Sequence, residues 1–237
     1  MISEYFLSLR KKLSKEVGEP NKQRLKQSAI LRRRYISNLI HRGKIDKSSF
    51  KYHAIFLTFF GCGKWRYGPG TLTSFITTII WLGVSYYFYL QNVDIVVETT
   101  MWISLAVTMF IYGIFIIPIY STKLDREDHP SIVLDEVMGQ IVALSLSYPF
   151  LKPYYFAIED IRIKSIIIIS HVSVSFMLFR ILDITKPSII GRIDRNIKGG
   201  AGVMLDDLVC GLLASGFTIL LFFICYYAIN IDIPQAD

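Results

Sequence analysis

Three stretches without a single charged residue, Thr71–Gln91, Thr100–Tyr120 and Leu208–Ile231, constrain this chain more than any other feature. Each is long enough to carry a helix across a bilayer core, which takes about 20 predominantly apolar residues. Two further runs, Val137–Leu151 and Ser165–Phe179, hold 15 residues each between charges. A helix of that length rises about 22 Å, so it crosses only with local thinning or snorkelling, or else dips into the bilayer or packs inside a bundle. An apolar content of 52% and a mean hydropathy of +0.43 agree with a membrane protein. The expected fold is all-α: a polytopic membrane helical bundle with three long and two short membrane helices.

Charge divides the chain in two. Residues 1–51 carry fourteen Lys or Arg against four acids, while the rest of the chain is slightly acidic. The arm includes Arg10-Lys11-Lys12 and Arg32-Arg33-Arg34 and has neither the apolar core nor the small-residue cleavage site of a signal peptide. We therefore expect a flexible basic arm over 1–51 that sets orientation and meets anionic headgroups, followed by one membrane domain over 52–237. No groove-reading or base-stacking pattern accompanies the charge, so no nucleic-acid partner is expected. By the positive-inside rule the N-terminus lies in the cytoplasm. The two short runs are consecutive, so whether both cross or neither does, the segment Asp183–Asp207 returns to the cytoplasmic face. Asp94 and Glu98 are expected in an outer loop.

On this topology Asp135, Glu136, Asp183, Asp194, Asp206 and Asp207 all fall at cytoplasmic ends of apolar runs. Like charges gathered beside a low-dielectric slab repel, and cations relieve that cost. Hard oxygen donors favour Mg²⁺, which recruits a few carboxylates together with phosphate oxygens and water. Each pair also has a local explanation. Asp206 and Asp207 suit a helix cap, Arg180 and Asp183 suit an i,i+3 ion pair, and the adjacent Asp135 and Glu136 point about 100° apart on a helix. Arg180, Lys186 and Arg195 lie among the acids as phosphate-binding candidates. Thr71 offers a hydroxyl at the first crossing, and Gly200 offers backbone N–H groups within Gly199-Gly200-Ala201-Gly202 before the last. His129 is a weaker proton-transfer candidate, and His171, inside an apolar run, suits packing or a bond between helices. Cys62, Cys210 and Cys225 show no metal-ligand spacing and read as reduced, structural thiols. With no serine elbow or cysteine signature, attack by metal-assisted water is favoured over a covalent route, an aspartyl nucleophile being the alternative.

Three ordered motifs resemble the phosphatidylglycerophosphatase A family. They are GCGKWRYGPGTLTS from Gly61 to Ser74, DHPSIVLDEVMG from Asp128 to Gly139, and FRILDITKP from Phe179 followed by IDRNIKGGAGVMLDD to Asp207 and then Gly211. The likeness spans roughly residues 55–215. Departures fall at Trp65-Arg66-Tyr67-Gly68 and at Ser188-Ile189, away from the acids. The resemblance implies Mg²⁺-dependent hydrolysis of phosphatidylglycerophosphate to phosphatidylglycerol and inorganic phosphate at the cytoplasmic face of the bacterial inner membrane, by an all-helical protein. It implies catalytic roles for Asp135, Glu136, Asp183 and Asp207, metal ligation by Asp135, Glu136, Asp183, Asp206 and Asp207, and substrate binding by Arg180, Lys186, Arg195, Thr71 and Gly200. The competing readings are a CDP-alcohol phosphatidyltransferase, whose spaced aspartate pattern is absent, and a non-catalytic membrane scaffold, which leaves the six acids unexplained. Oligomeric state has no signature in the sequence.

Overall fold

The computed structural model describes residues 47–121, 129–157, 160–187, 190–192, 196–197 and 199–231, so residues 1–46 of the basic arm lie outside the described residues. Among those described, all regular structure is helical. A short helix α1 (Lys47–Leu57) and a 3-10 turn (Cys62–Lys64) lead into five long helices. These are α2 (Pro69–Leu90), α3 (Ile95–Tyr120), α4 (Leu134–Ala157), α5 (Ile161–Thr185) and α6 (Gly200–Ile231).

Local chemistry sets the helix boundaries. Gly68 takes a left-handed conformation at φ +57 and Pro69 occupies the first turn of α2, where its missing N–H costs nothing. Asp94 caps α3 by accepting from Val96 N at 2.8 Å. Asp160 caps α5 by accepting from Arg162 N at 2.7 Å. Lys186 ends α5 in a left-handed conformation at φ 41, immediately before Pro187, which cannot continue a helix.

The five helices alternate in direction, so α2, α4 and α6 begin where α3 and α5 end. At that end Gly70 of α2 meets Glu136 of α4, and Gly200 of α6 lies against Ile114 and Pro118 of α3. Arg180 of α5 reaches Ser74 of α2 there as well. At the opposite end Lys152 of α4 pairs with Glu98 of α3 at 3.4 Å.

Helix α4 is the axis of the bundle, packed against α2, α3, α5 and α6. Its residues Val137, Met138, Ile141, Val142, Ala143 and Leu144 are all buried. The run Val137–Leu151 is therefore short of apolar length yet enclosed through its first half, with Phe150 exposed near its end, which matches the alternative of packing inside a bundle. Its enclosure depends on small residues. A Cβ on Gly139 would collide with the Phe179 ring and the Asp207 carbonyl, and one on Gly211 would strike the Gly139 carbonyl. The α4 and α6 backbones thus approach closely, as small residues permit between membrane helices.

Four helices among the described residues are long and apolar enough to cross a membrane: α2, α3, α5, and α6 over Gly200–Ala228. The 15-residue run in α5 becomes a 25-residue helix because Arg162, Lys164, Arg180 and Asp183 continue it at both ends. Side chains such as Phe75, Ile80, Val107, Ile111, Ile169 and Leu221 are exposed on the bundle surface, where hydrocarbon rather than water suits them. The chain is a multi-pass membrane protein. One expectation needs correcting: Glu98 does not sit in an outer loop but is fully buried in the first turn of α3, where Lys152 compensates its charge. His171 does bond between helices, through Nε2 to Ser147 Oγ at 2.8 Å.

Candidate active site

Three helix ends assemble the acids. The first turn of α4 contributes Asp135 and Glu136, the last turn of α5 contributes Asp183, and the second turn of α6 contributes Asp206 and Asp207. Carboxylate oxygens of Asp135, Glu136 and Asp207 lie within 4.8 Å of one another. An oxygen of Asp183, one of Asp207 and the sulfur of Cys210 form a second group within the same 4.8 Å. Asp207 belongs to both.

Adjacent residues 100° apart were not expected to face one point, yet Asp135 and Glu136 do. They sit where α4 begins, so Asp135 folds over the open end of the helix and its Oδ1 accepts the Glu136 N–H at 3.1 Å. Glu136 projects toward α2 into space that exists only because residue 70 is glycine. A Cβ there would collide with Glu136 Oε1. The capping reading of Asp206 and Asp207 does not hold, because α6 begins at Gly200 and both acids are already inside the helix.

The cations are placed unequally. Arg180 Nη1 pairs with Asp183 Oδ2 at 2.7 Å, so the i,i+3 ion pair is real, and the same nitrogen donates to Ser74 Oγ at 3.4 Å. Arg180 Nε is buried with no hydrogen-bond partner among the described residues. Lys186 Nζ pairs with Asp206 Oδ2 at 2.6 Å. Asp206 is thereby turned to Lys186 and falls in neither of the close-packed groups. Thr71 is exposed on the first turn of α2, whose inner face presents Thr73 and Ser74 instead. Gly200 is buried against the Gly113 and Ile114 carbonyls of α3, a helix-packing position. Asp194 and Arg195 lie outside the described residues. His129 bonds to Ser131 Oγ at 2.8 Å, just before α4.

One residue of the centre, Cys210, was missed, together with Gln140, a buried amide one turn along α4 from Glu136. Cys210 follows Asp207 by three positions, and Gln140 follows Glu136 by four, so each shares a helical face with an acid. That spacing was the available signal. Gln140 is fully buried, and neither of its amide atoms has a hydrogen-bond partner among the described residues.

The donor set fits a divalent cation. Glu136 Oε2 is buried without a hydrogen-bond partner among the described residues, an expensive position for a carboxylate oxygen unless a cation or water meets it. Oxygens on one octahedral Mg²⁺ stand about 3.0 Å apart when adjacent and about 4.2 Å when opposite, so side-chain rotations that move the donors by about an ångström or two bring Asp135, Glu136 and Asp207 onto an ion.

Bundle and centre together define a class: polytopic helical membrane proteins with a buried carboxylate cluster, flanked by Arg and Lys, at one end of the helices. Within that class the chain belongs to the phosphatidylglycerophosphatase A family, whose sequence pattern matches residues 55–222. A Bacteroides thetaiotaomicron protein described as a candidate phosphatidylinositol-3-phosphatase is 32% identical over 158 residues, covering 65% of this chain and 84% of the relative. The Escherichia coli phosphatidylglycerophosphatase A is 29% identical over 168 residues, covering 71% of this chain and 80% of the relative. The Haemophilus influenzae phosphatidylglycerophosphatase A is likewise 29% identical over 168 residues, covering 71% and 85%. No solved structure matches the chain.

Proposed function

We propose that this chain is a lipid phosphatase that hydrolyses phosphatidylglycerophosphate to phosphatidylglycerol and inorganic phosphate, at the cytoplasmic face of a bacterial inner membrane. The observation that carries the reading is the convergence of Asp135, Glu136, Asp183 and Asp207 from three helices beside Arg180. Family membership and the names of the Escherichia coli and Haemophilus influenzae relatives support the substrate. The cytoplasmic orientation is supported by Lys64, Arg66, Lys186 and Arg192 near the site end, under the positive-inside rule.

Asp135, Glu136, Asp183 and Asp207 would hold the divalent cations of the centre, of which Mg²⁺ would supply charge neutralisation at the phosphate and an acidified water. The protein's own groups do the rest. Arg180 orients the terminal phosphate through its unpartnered Nε, held in place by Asp183 and Ser74. Lys186, tethered to Asp206, adds a second positive charge. Glu136 Oε2 takes a proton from the water that attacks phosphorus. As the bond from phosphorus to the glycerol oxygen breaks, that proton passes to the departing oxygen, leaving phosphatidylglycerol and hydrogen phosphate. Burial of Asp135 and Asp207 limits access by bulk water.

The test is phosphate release by the purified protein in detergent. Phosphatidylglycerophosphate, phosphatidic acid and phosphatidylinositol 3-phosphate are compared with and without Mg²⁺. Release from phosphatidylglycerophosphate alone, requiring Mg²⁺, is the expected result. Preference for phosphatidylinositol 3-phosphate would transfer the activity to that named for the Bacteroides relative, and no release from any of the three would refute a phosphatase.

A further inference from the structure

Cys210 is fully buried on the same face of α6 as Asp207. Its sulfur lies within 4.8 Å of oxygens from Asp183 and Asp207, and Asp207 is equally close to oxygens of Asp135 and Glu136. Two donor groups sharing one carboxylate is the layout of a centre for two ions with a bridging aspartate. The cluster also contains an unmatched acceptor, the buried Glu136 Oε2, which has no hydrogen-bond partner among the described residues. Phe179, Ala143 and Ala214 form the apolar wall behind Cys210, and a thiol serving only to fill space there is the rival account.

We propose that the centre is binuclear and that its two halves differ: Asp135, Glu136 and Asp207 form a hard-oxygen site suited to Mg²⁺, while Asp183, Asp207 and Cys210 form a mixed oxygen and sulfur site for a thiophilic divalent cation such as Zn²⁺ or Cd²⁺. The proposal rests on reading the carboxylates as a metal centre and deepens it. Mg²⁺ takes oxygen ligands in a near-octahedral shell, whereas thiolate favours zinc and its softer congeners. In a tetrahedral shell a sulfur and an oxygen on one Zn²⁺ stand about 3.6 Å apart, so side-chain rotations that move the donors by about an ångström close the second group. Binding converts the thiol to a thiolate and releases its proton to solvent.

The experiment uses the full chain with Cys62→Ser and Cys225→Ser, which leaves Cys210 as its sole cysteine. Titration with Cd²⁺ should produce ultraviolet thiolate-to-metal absorption saturating at one cysteine-bound Cd²⁺ per chain. Adding Cys210→Ala should remove the band and weaken Cd²⁺ binding by about tenfold or more, since even outer-shell changes cost that much. Cadmium X-ray absorption on the protein that retains Cys210 should report one sulfur neighbour, a reading that needs no variant at 210 to fold. Absence of both band and sulfur neighbour, in protein that releases phosphate with Mg²⁺, overturns the mixed site and leaves the phosphatase reading standing. A cadmium–sulfur signature in protein with no phosphatase activity supports the site while defeating the proposed reaction.

Discussion

Gly70→Ala is the sharpest single perturbation of the centre, because it adds one methyl group at its edge without touching a charge. Gly70 sits in the first turn of α2, and its backbone is helical, so alanine fits the local conformation. Taken alone the change should favour the helix by up to about 1 kcal/mol. The new Cβ, however, would lie 2.9 Å from Glu136 Cδ and 3.3 Å from Arg180 Nη1, and would overlap Glu136 Oε1 outright. Ordinary contact requires the carboxylate to retreat by roughly an ångström, and displacements of that size at reacting groups cost about 10²-fold in rate. That is about 2.7 kcal/mol of lost transition-state stabilisation. We expect kcat for phosphate release to fall by about 10²-fold while the thermal midpoint in detergent stays level or rises. Gly83→Ala, on the same helix with nothing within 4 Å of its Cβ, should share the stability effect and keep its activity. Glu136→Asp in the Gly70→Ala background withdraws the acid by one methylene and should recover part of the loss. Wild-type kcat in Gly70→Ala, or a loss of activity accompanied by unfolding, would refute the claim that Gly70 exists to make room for Glu136.

The remaining expectations concern which acids matter. Asp207→Asn, at the carboxylate shared by both donor groups, should reduce phosphate release far more than Asp206→Asn, whose partner is Lys186; equal losses would contradict the assignment. EDTA should silence the enzyme and Mg²⁺ restore it, and full activity after exhaustive chelation would remove the metal from the mechanism. Ser147→Ala deletes the bond to His171 deep in the bundle and should cost roughly 0.6 kcal/mol of stability, with kcat within twofold of wild type as read by phosphate release.

Much of the architecture was legible. The three long runs became α2, α3 and α6, and the ambiguous run over Val137–Leu151 resolved into the central helix. That ambiguity was physical rather than accidental. A helix wrapped by four others needs neither the length nor the hydropathy of one that faces lipid, and Gly139 and Gly211 let its neighbour come close enough to enclose it. The ion pair of Arg180 with Asp183 was readable from spacing alone. Cys210 was not, because a lone cysteine in an apolar run reads as a small hydrophobe until the fold brings Asp183 beside it. Asp206 and Asp207 looked alike in the sequence and differ in the structure. Successive residues on a helix diverge by about 100°, so one turned to Lys186 and the other to the cluster.

The placement of the acids follows from a mismatch between two kinds of boundary. Charge delimits an apolar run and so marks where hydrocarbon ends, but it does not mark where a helix ends. Helix α4 begins at Leu134, ahead of the run that opens at Val137, and the interval holds Asp135 and Glu136. Helix α5 continues past Phe179 to Thr185, and that interval holds Arg180 and Asp183. Helix α6 starts at Gly200, a full two turns before Leu208, and that interval holds Asp206 and Asp207. The four acids of the two donor groups, and Asp206 beside them, therefore stand on helical overhangs beyond the charge-free runs. Regular helix fixes their backbones, so the carboxylates are held together without a loop having to fold around the substrate. That rigidity lowers the cost of using a charge cluster: the carboxylates are ordered once, on folding, rather than on every turnover.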